Sequence, residues 1–336
     1  MKYVLVTGGA GYIGSHTVIS LSEQGYYPVI IDDLRNSSTA LIKGIEKIIG
    51  DNFTHISIDI CDKTSLFAVF KDYSFSSVIH FAAYKSVGES CQVPLKYYQN
   101  NLIGLLNIIE ACQVYKIEKL VFSSSCTVYG EPDIKEVHEE TPKKTPASPY
   151  GFTKWMGEQI LEDFHKNPVP FQTLCLRYFN PIGAHPSGNI GELPLGVPNN
   201  LLPYITQTAN GLRDHLTVFG DDYPTYDGTC VRDYVHVCDV ADAHVAALEY
   251  GSSESLSAFN IGTGKGTSVL EMVKLFSRVT NKDLPYRVGQ RRTGDITEIY
   301  ANVDKAFKLL NWKSKRSVEQ AIQDAWHWEQ QQNKPL

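Results

Sequence analysis

The sequence predicts an α/β protein built on a doubly wound parallel sheet, followed by a smaller α/β domain. Three observations predict it. A short apolar strand, Val4-Leu5-Val6, runs straight into a glycine-rich turn that opens a helix-like stretch over 15–24. Strand-like and helix-like segments then alternate up to residue 180, the pattern of parallel strands covered by helices on both faces. The chemistry-bearing residues fall just after the strands, where open sheets of this kind hold their ligands.

The elements follow in order. Pro28-Val29-Ile30-Ile31 is the second strand and ends at Asp32 and Asp33. Strands are expected over 54–58, leading to Asp59, and over 77–81, with helices over 63–71 and 95–115. A strand over 119–123, a helix over 149–165 and a strand over 172–177 complete the alternation. Gly8, Asp32, Asp59, Ala82, Ser125 and Tyr178 all lie at carboxyl ends of strands. Prolines and glycines cluster over 181–203, which predicts a long ordered loop leaving the first lobe. Beyond it, strands are expected over 216–219 and 234–237, and helices over 239–250 and 268–279. The expected domains are a Rossmann-type one over 1–180, to which 234–261 returns, and a second one over 181–336.

Bulk properties exclude several classes. The chain of 336 residues is 43% apolar and 20% charged, ordinary for a globular protein with a sizeable core. A net charge of −6 and the lack of a basic run argue against a nucleic-acid surface. No apolar run is long enough for a membrane span, and the N-terminus goes directly into a strand without a signal-peptide pattern. The 7 cysteines form no Cys-x-x-Cys and the 10 histidines no metal-ligand spacing. That reads as reduced thiols in a cytoplasmic protein without a metal site.

The glycine turn reads as Gly-x-Gly-x-x-Gly through Gly9, Gly11 and Gly14, or as Gly-x-x-Gly-x-x-Gly through Gly8, Gly11 and Gly14. Glycine is needed where φ is positive and where a Cβ would block a ligand or the helix–strand contact. The turn points backbone N–H groups and a positive helix end at a pyrophosphate. Asp32, about 20 residues on, can accept from a ribose 2′-OH and repel a 2′-phosphate, which favours NAD over NADP.

Ser148-Pro149-Tyr150-Gly151-Phe152-Thr153-Lys154 reads as a helix start, with Ser148 as N-cap and Pro149 as first helical residue. Tyr150 and Lys154 then share one helix face. A free tyrosine titrates near 10, so a base working near neutrality needs about 4 kcal/mol of preferential phenolate stabilisation. A lysine ammonium, the helix N-terminus and a nicotinamide cation are the candidate sources. Alone, Tyr-x-x-x-Lys is common by chance. Behind a nucleotide turn and the strand end Ser123-Ser124-Ser125 it is a redox site, with the Ser125 hydroxyl sharing the substrate proton and Ser124 in support.

These stretches resemble the extended short-chain dehydrogenase/reductase family and, within it, the UDP-hexose 4-epimerases. The matching strings are long: 4–16, 77–90 with Tyr84-Lys85-Ser86-Val87-Gly88-Glu89-Ser90, 121–130, 150–154, Leu176-Arg177-Tyr178-Phe179-Asn180-Pro181, 197–204 and 228–239. The resemblance implies Tyr150 as general base, Lys154 as its tuning and cofactor-ribose residue, and Ser125 as hydroxyl partner. It implies NAD contacts from Gly8, Gly11, Tyr12, Ile13 and Gly14 in the turn, and from Asp32, Asn36, Ser37, Asp59 and Ile60 after the second and third strands. Phe81, Ala82, Ala83, Lys85, Asn100, Ser123, Ser124 and Tyr178 complete that set. For the UDP-sugar it implies Asn180, Asn200, Leu201, Phe219, Arg232, Tyr234, Arg292, Asp295 and Ile299, together with Lys85, Ser125 and Tyr150. Guanidinium groups suit a pyrophosphate. Arg232 beside Asp233 and Arg291-Arg292 also have plainer readings, as a surface ion pair and as solvated charge.

The implied reaction is reversible 4-epimerisation of UDP-glucose and UDP-galactose. The 4-OH proton goes to Tyr150 and the C4 hydride to NAD⁺; the 4-keto sugar swings, and hydride returns to its other face. A 4,6-dehydratase is the competing enzyme, but it usually carries an acid after the strand-end hydroxyl, where Ser125-Cys126-Thr127 has none. A non-catalytic nucleotide sensor would be expected to lose the Tyr/Lys pair. The family position matched by Ile299 often holds Tyr in enzymes confined to plain hexoses and a small residue where N-acetylated sugars fit. Isoleucine lies between, so UDP-N-acetylhexoses enter as a second expected substrate class. The resemblance also implies a homodimer through the helices over 95–115 and 150–165.

Overall fold

The computed structural model describes residues 2–292 and 294–332. Residues 1, 293 and 333–336, which the expected domain limits include, lie outside the described residues. The chain begins with β1 (Lys2–Thr7), α1 (Tyr12–Glu23), β2 (Tyr26–Ile31), α2 (Thr39–Ile49), β3 (Thr54–Ile56), α3 (Lys63–Asp72) and β4 (Phe75–His80). It continues through α4 (Val87–Gln92), α5 (Pro94–Val114), β5 (Lys119–Ser125), β6 (Glu136–Val137), α6 (Pro149–Phe164) and β7 (Gln172–Tyr178). Then come β8 (Asn180–Ile182), α7 (Leu201–Ala209), β9 (Leu216–Phe219), β10 (Val231–Arg232), β11 (Tyr234–His236), α8 (Val237–Glu249) and β12 (Leu256–Ile261). The last elements are β13 (Thr267–Ser268), α9 (Val269–Thr280), β14 (Tyr286–Gly289), β15 (Glu298–Ala301), α10 (Asp304–Leu310) and α11 (Val318–Gln332).

The central sheet has seven strands in the order β12-β7-β5-β4-β1-β2-β3, and every neighbouring pair is parallel. The middles of its strands are rich in buried apolar residues because both faces are covered. In β1, Val4 and Val6 join a core with Val18, Leu21, Val240 and Ala243. Leu5, between them, points the other way into a core with Leu66, Phe70, Leu105 and Ile108. Chain order reverses at β1, flanked by β2 on one side and β4 on the other, which opens a crevice beyond their carboxyl ends.

The remaining elements complete the walls. β8 pairs in parallel with β11, while β10 joins β13, β15 and β6 in a four-stranded sheet, and β9 pairs with β14. Ile182, Leu202, Ile205, Val218, Tyr234, Met272, Phe276 and Ile322 form a third core beneath them. β12 adds to the edge of the central sheet beside β7, and α8 packs on α1. The Pro/Gly-rich stretch is therefore not loop throughout: β8 and the start of α7 take its ends, and irregular chain spans 183–200. The first helix begins at Tyr12, three residues before the apolar pattern suggests, because the glycine turn feeds directly into it.

Candidate active site

The glycine turn sets the floor of the crevice. Gly8 has φ +71°, and a Cβ there would lie 2.7 Å from the backbone N of Ala82. The conformation favours glycine and the contact with main chain admits nothing larger. A Cβ on Gly14 would strike the Gly8 carbonyl. Gly11 is the N-cap of α1 and makes no side-chain cap, so the first-turn N–H groups of that helix stay available to an anion. Asp32 accepts from Ala10 N (3.1 Å), Leu34 N (2.9 Å) and Ser37 Oγ (2.9 Å), which ties the end of β2 to the turn.

One cleft runs from this turn to the catalytic helix. Its near wall carries Gly8, Gly11, Tyr12, Ile13 and Gly14; the loops after β2 and β3 add Asp32, Asn36, Ser37, Asp59 and Ile60. Phe81, Ala82, Ala83, Lys85 and Asn100 line the β4 side, and Ser123, Tyr150, Lys154 and Tyr178 close the far end. Of the expected cofactor residues, Ser124 is the one the cleft does not include. Its hydroxyl is fully buried and donates to Glu158 Oε1 at 2.6 Å. Alternation along β5 turns its side chain away from those of Ser123 and Ser125.

At the far end, Ser148 caps α6 by accepting from Gly151 N at 3.2 Å, and Pro149 starts the helix. Tyr150 and Lys154 follow on one face. Lys154 Nζ donates to the Ser123 carbonyl (2.6 Å) and reaches Ser123 Oγ (3.3 Å), while the Tyr178 hydroxyl also donates to Ser123 Oγ. Burial pushes the Lys154 ammonium down to about 7. The half-buried Tyr150 phenol is pushed up to about 12, by burial first and by Cys126 next, against the pull of a Ser125 hydrogen bond. In the protein alone the shift is thus opposite to what a neutral-pH base needs. The stabilisation still to be supplied is about 7 kcal/mol, at about 1.4 kcal/mol per pKa unit.

Of the residues expected for the UDP-sugar, Lys85 and Tyr150 line this cleft, Asn200 lines an adjoining one with Lys85 and Glu192, and the others lie outside both linings. β8 brings Asn180 level with Tyr234 of β11, and β10 brings Arg232 level with Ile299 of β15. Tyr234 is buried, and Ile299 is buried with Val128, Tyr129, Val137, Phe179 and Ala301. Asp295 takes both Arg292 Nε and Nη2 at 3.0 Å, and the guanidinium lies 5.0 Å from the centre of the Phe219 ring. Arg232 does not pair with Asp233. The buried Asp233 carboxylate accepts from Thr263 N (2.8 Å) and Oγ1 (2.6 Å), Gly264 N (3.0 Å) and Ala301 N (3.2 Å). Among the described residues no carboxylate lies within ion-pair distance of Arg232. Arg291, by contrast, pairs with exposed Asp222 at 2.6 Å, the solvated arrangement.

Two residues in the site were not foreseen. Arg35 spans the cleft mouth, paired with Asp33 and Asp59 and reaching Asn100 Oδ1 at 3.4 Å. Glu192 puts one oxygen on Lys85 Nζ (2.9 Å) and Asn200 Nδ2 (2.6 Å), so Asn200, the N-cap of α7, makes no side-chain cap. Both lie in irregular chain, where neither periodicity nor motif spacing marks a residue. The α7 N-terminus, with Leu201 as its first residue, is left without a side-chain cap.

Comparison with known proteins decides the family. A family model described as GDP-mannose 4,6 dehydratase matches residues 5–325. A UDP-glucose 4-epimerase of Schizosaccharomyces pombe is 50% identical, covering 97% of this chain and 94% of that protein. The UDP-glucose 4-epimerase of Bacillus subtilis is also 50% identical, over 97% and 96%. The chain belongs to the UDP-glucose 4-epimerase family. Crystal structures agree across the whole fold of this epimerase-family chain. The Bifidobacterium longum UDP-glucose 4-epimerase, in complex with NAD⁺ and UDP, superposes with a TM-score of 0.95 at 42% identity, covering 99% of each chain. The Stenotrophomonas maltophila enzyme, with bound NAD and formylated UDP-arabinopyranose, gives 0.96 at 44%, again over 99% of each. The broader model carries a dehydratase's description, yet the relatives of high identity are epimerases.

Proposed function

We propose that the protein interconverts UDP-glucose and UDP-galactose by reversible epimerisation at C4, with NAD as a resident cofactor. The observation that carries this reading is one cleft that joins a glycine cradle at Gly8 to the Tyr150–Lys154 helix face. The cradle fits a dinucleotide: Gly8 and Gly14 have no room for a Cβ, the α1 N-terminus is uncapped, and Asp32 ends β2. The turn would hold the pyrophosphate, Asp32 a ribose, and Lys154 with Tyr178 the nicotinamide end. When bound, the dinucleotide supplies a reversible hydride acceptor and a positive charge beside the phenol.

The protein's own groups do the rest. Tyr150 takes the 4-OH proton, with Ser125 bridging phenol and substrate oxygen, and later gives the proton back. Lys154, fixed on Ser123, keeps a cationic donor beside that oxygen. Arg232, Arg292, Asn180 and the α7 N-terminus at Leu201 hold the UDP, with Phe219 and Tyr234 walling the base, so that the sugar alone turns over. Cys126 follows Ser125 where a dehydratase would need an acid, which supports a 4-keto sugar that is returned rather than eliminated. Ile299 is smaller than tyrosine, which supports turnover of N-acetylated UDP-hexoses too.

The proposal includes a division into a dinucleotide-binding part over 1–180 with 234–261, and a UDP-sugar part over the rest. It includes a homodimer through α5 and α6, supported by exposed Leu95, Ile103, Leu106 and Val114 on α5. A cytoplasmic location is supported by seven free cysteines; no helix among the described residues is long and apolar enough to cross a membrane. The test is incubation of purified protein with UDP-galactose. UDP-glucose as product supports the reading, whereas a 4-keto-6-deoxy product or no turnover with NAD loaded overturns it.

A further inference from the structure

Beyond the cleft, the helix face that carries Tyr150 and Lys154 continues one turn further to Glu158, which is buried with 2% of its surface exposed. Its Oε1 accepts from Ser124 Oγ (2.6 Å) and Arg177 Nε (2.8 Å), and its Oε2 from Arg177 Nη2 (2.7 Å). Lys143 Nζ lies 3.4 Å from the same Oε2. Arg177 immediately precedes Tyr178 and is itself buried. Its Nη1 donates to the Tyr129 hydroxyl (3.0 Å) and the Glu139 carbonyl (2.9 Å), and Tyr129 donates on to Asn260 Oδ1 (2.7 Å). One network therefore joins α6, the ends of β5 and β7, the turn after Ser125, and β12. The next residue back on the helix, Gly157, sits so close to the sheet that a Cβ would come 2.7 Å from Phe122 Cζ.

We propose that Glu158 and Arg177 are positioning residues, which lock the catalytic face of α6 in register with the strand ends that carry Ser125 and Tyr178. The claim rests on the epimerase reading for its turnover readout. Each strand end reaches the active site through one member of the network: β5 through Ser124, which stands between Ser123 and Ser125, and β7 through Arg177, next to Tyr178. No other ion pair joins α6 to β7 among the described residues. A fully buried pair of this kind adds little net stability over well-packed apolar side chains, but it tolerates one geometry only. Proton transfer needs such geometry, since a misplacement of about 1 Å is worth roughly 100-fold in rate. Burial raises the Glu158 carboxyl, and the Arg177 hydrogen bonds outweigh it and hold the group below the usual carboxylate range, so the pair stays charged at working pH.

The test compares wild type with the double variant Glu158→Leu/Arg177→Met and with Glu158→Gln and Ser124→Ala. Thermal stability, NAD content, kcat, KM for UDP-galactose and the pH profile of kcat are measured. The double variant is expected to fold and keep NAD, with KM within about threefold of wild type. Its kcat should fall about 10- to 100-fold, with the limb set by Tyr150 moved to higher pH. Glu158→Gln, which keeps the shape and one acceptor, should recover part of that loss. An NAD-loaded double variant with kcat within about twofold and an unmoved pH limb overturns the proposal. Should that variant fail to fold, Ser124→Ala decides: a shifted pH limb with unchanged KM upholds the proposal, and an unmoved limb overturns it. If wild type itself shows no epimerase turnover, the epimerase reading fails alone. Ultraviolet titration of the Tyr150 phenol, taken as the difference from Tyr150→Phe, then reads the register without turnover, and an identical titration in all variants overturns it.

Discussion

The two sides of the proposed site are built on different principles. The dinucleotide side is backbone: a left-handed Gly8, an uncapped helix start and an aspartate that braces the turn. The side proposed for the UDP-sugar relies on side chains, Arg232, Arg292, Phe219, Tyr234 and Asn200, set on strands of two to four residues or on loops. A backbone site is all-or-none, because adding one Cβ collides with main chain. A side-chain site is graded, because each group can be removed alone. The contrast predicts how each wall fails.

The most severe failure is expected where the walls meet. Tyr150→Phe removes the proton acceptor and should lower kcat about 1000-fold, while NAD and UDP binding stay near wild type. Near-normal turnover in that variant would break the whole assignment. Next, Gly8→Ala should abolish NAD retention by the purified protein, measured as the 260/280 nm ratio after gel filtration, because the collision with Ala82 N is with main chain. An alanine variant that retains full NAD would show that the cradle is less rigid than its geometry. On the other wall, Arg292→Ala should raise KM for UDP-galactose about 10- to 50-fold and change kcat little, the mark of lost ground-state binding. An equal fall in kcat would move Arg292 from holding the nucleotide to the chemistry itself.

A smaller effect separates the walls by pH. His244 is buried on the dinucleotide side, 4.6 Å from the Phe81 ring and 5.6 Å from that of Tyr178, and burial lowers its pKa to about 4. Between about 4 and 6.5 the unfolded chain binds a proton there that the folded protein does not, so stability falls as pH falls. His244→Phe should flatten that slope by about 1.4 kcal/mol per pH unit, read from urea melts across pH 4 to 7. The smallest effect is at Ile299: tyrosine there should reduce turnover of UDP-N-acetylhexoses several-fold and spare UDP-galactose, and an equal loss of both would remove Ile299 as a gate.

The same contrast explains what could be read in the chain. Glycine spacing, Asp32 and the Ser148-Pro149-Tyr150 helix start are local signals, and β1, α6 and the cleft follow from them. Helix α2 carries Leu41, Ile42, Ile45, Ile48 and Ile49 at helical spacing and was legible in principle, although it follows a turn-like Asn-Ser-Ser and no motif points to it. The strands β6, β8, β10 and β13 are too short to show a period of two. The residues on them expected for the UDP-sugar were legible only through resemblance. Nothing local marked Arg35 or Glu192, since Asp59 and Lys85 reach them from other parts of the chain. In the protein alone the Tyr150 phenol is shifted upward; the sequence displays the nearby lysine but not the burial that acts on both groups.

Asp233 holds several segments of the chain at once. All of its accepting capacity is taken up by the chain at Thr263, Gly264 and Ala301, so it acts as a rivet for three loops and leaves the adjacent guanidinium of Arg232 without a local counter-charge. Exchanging the acid for asparagine would therefore injure two properties at once, loosening the loop junction and altering the electrostatic surroundings of the Arg232 cation. Drift at position 233 is thereby coupled to recognition at position 232, although the two side chains never touch.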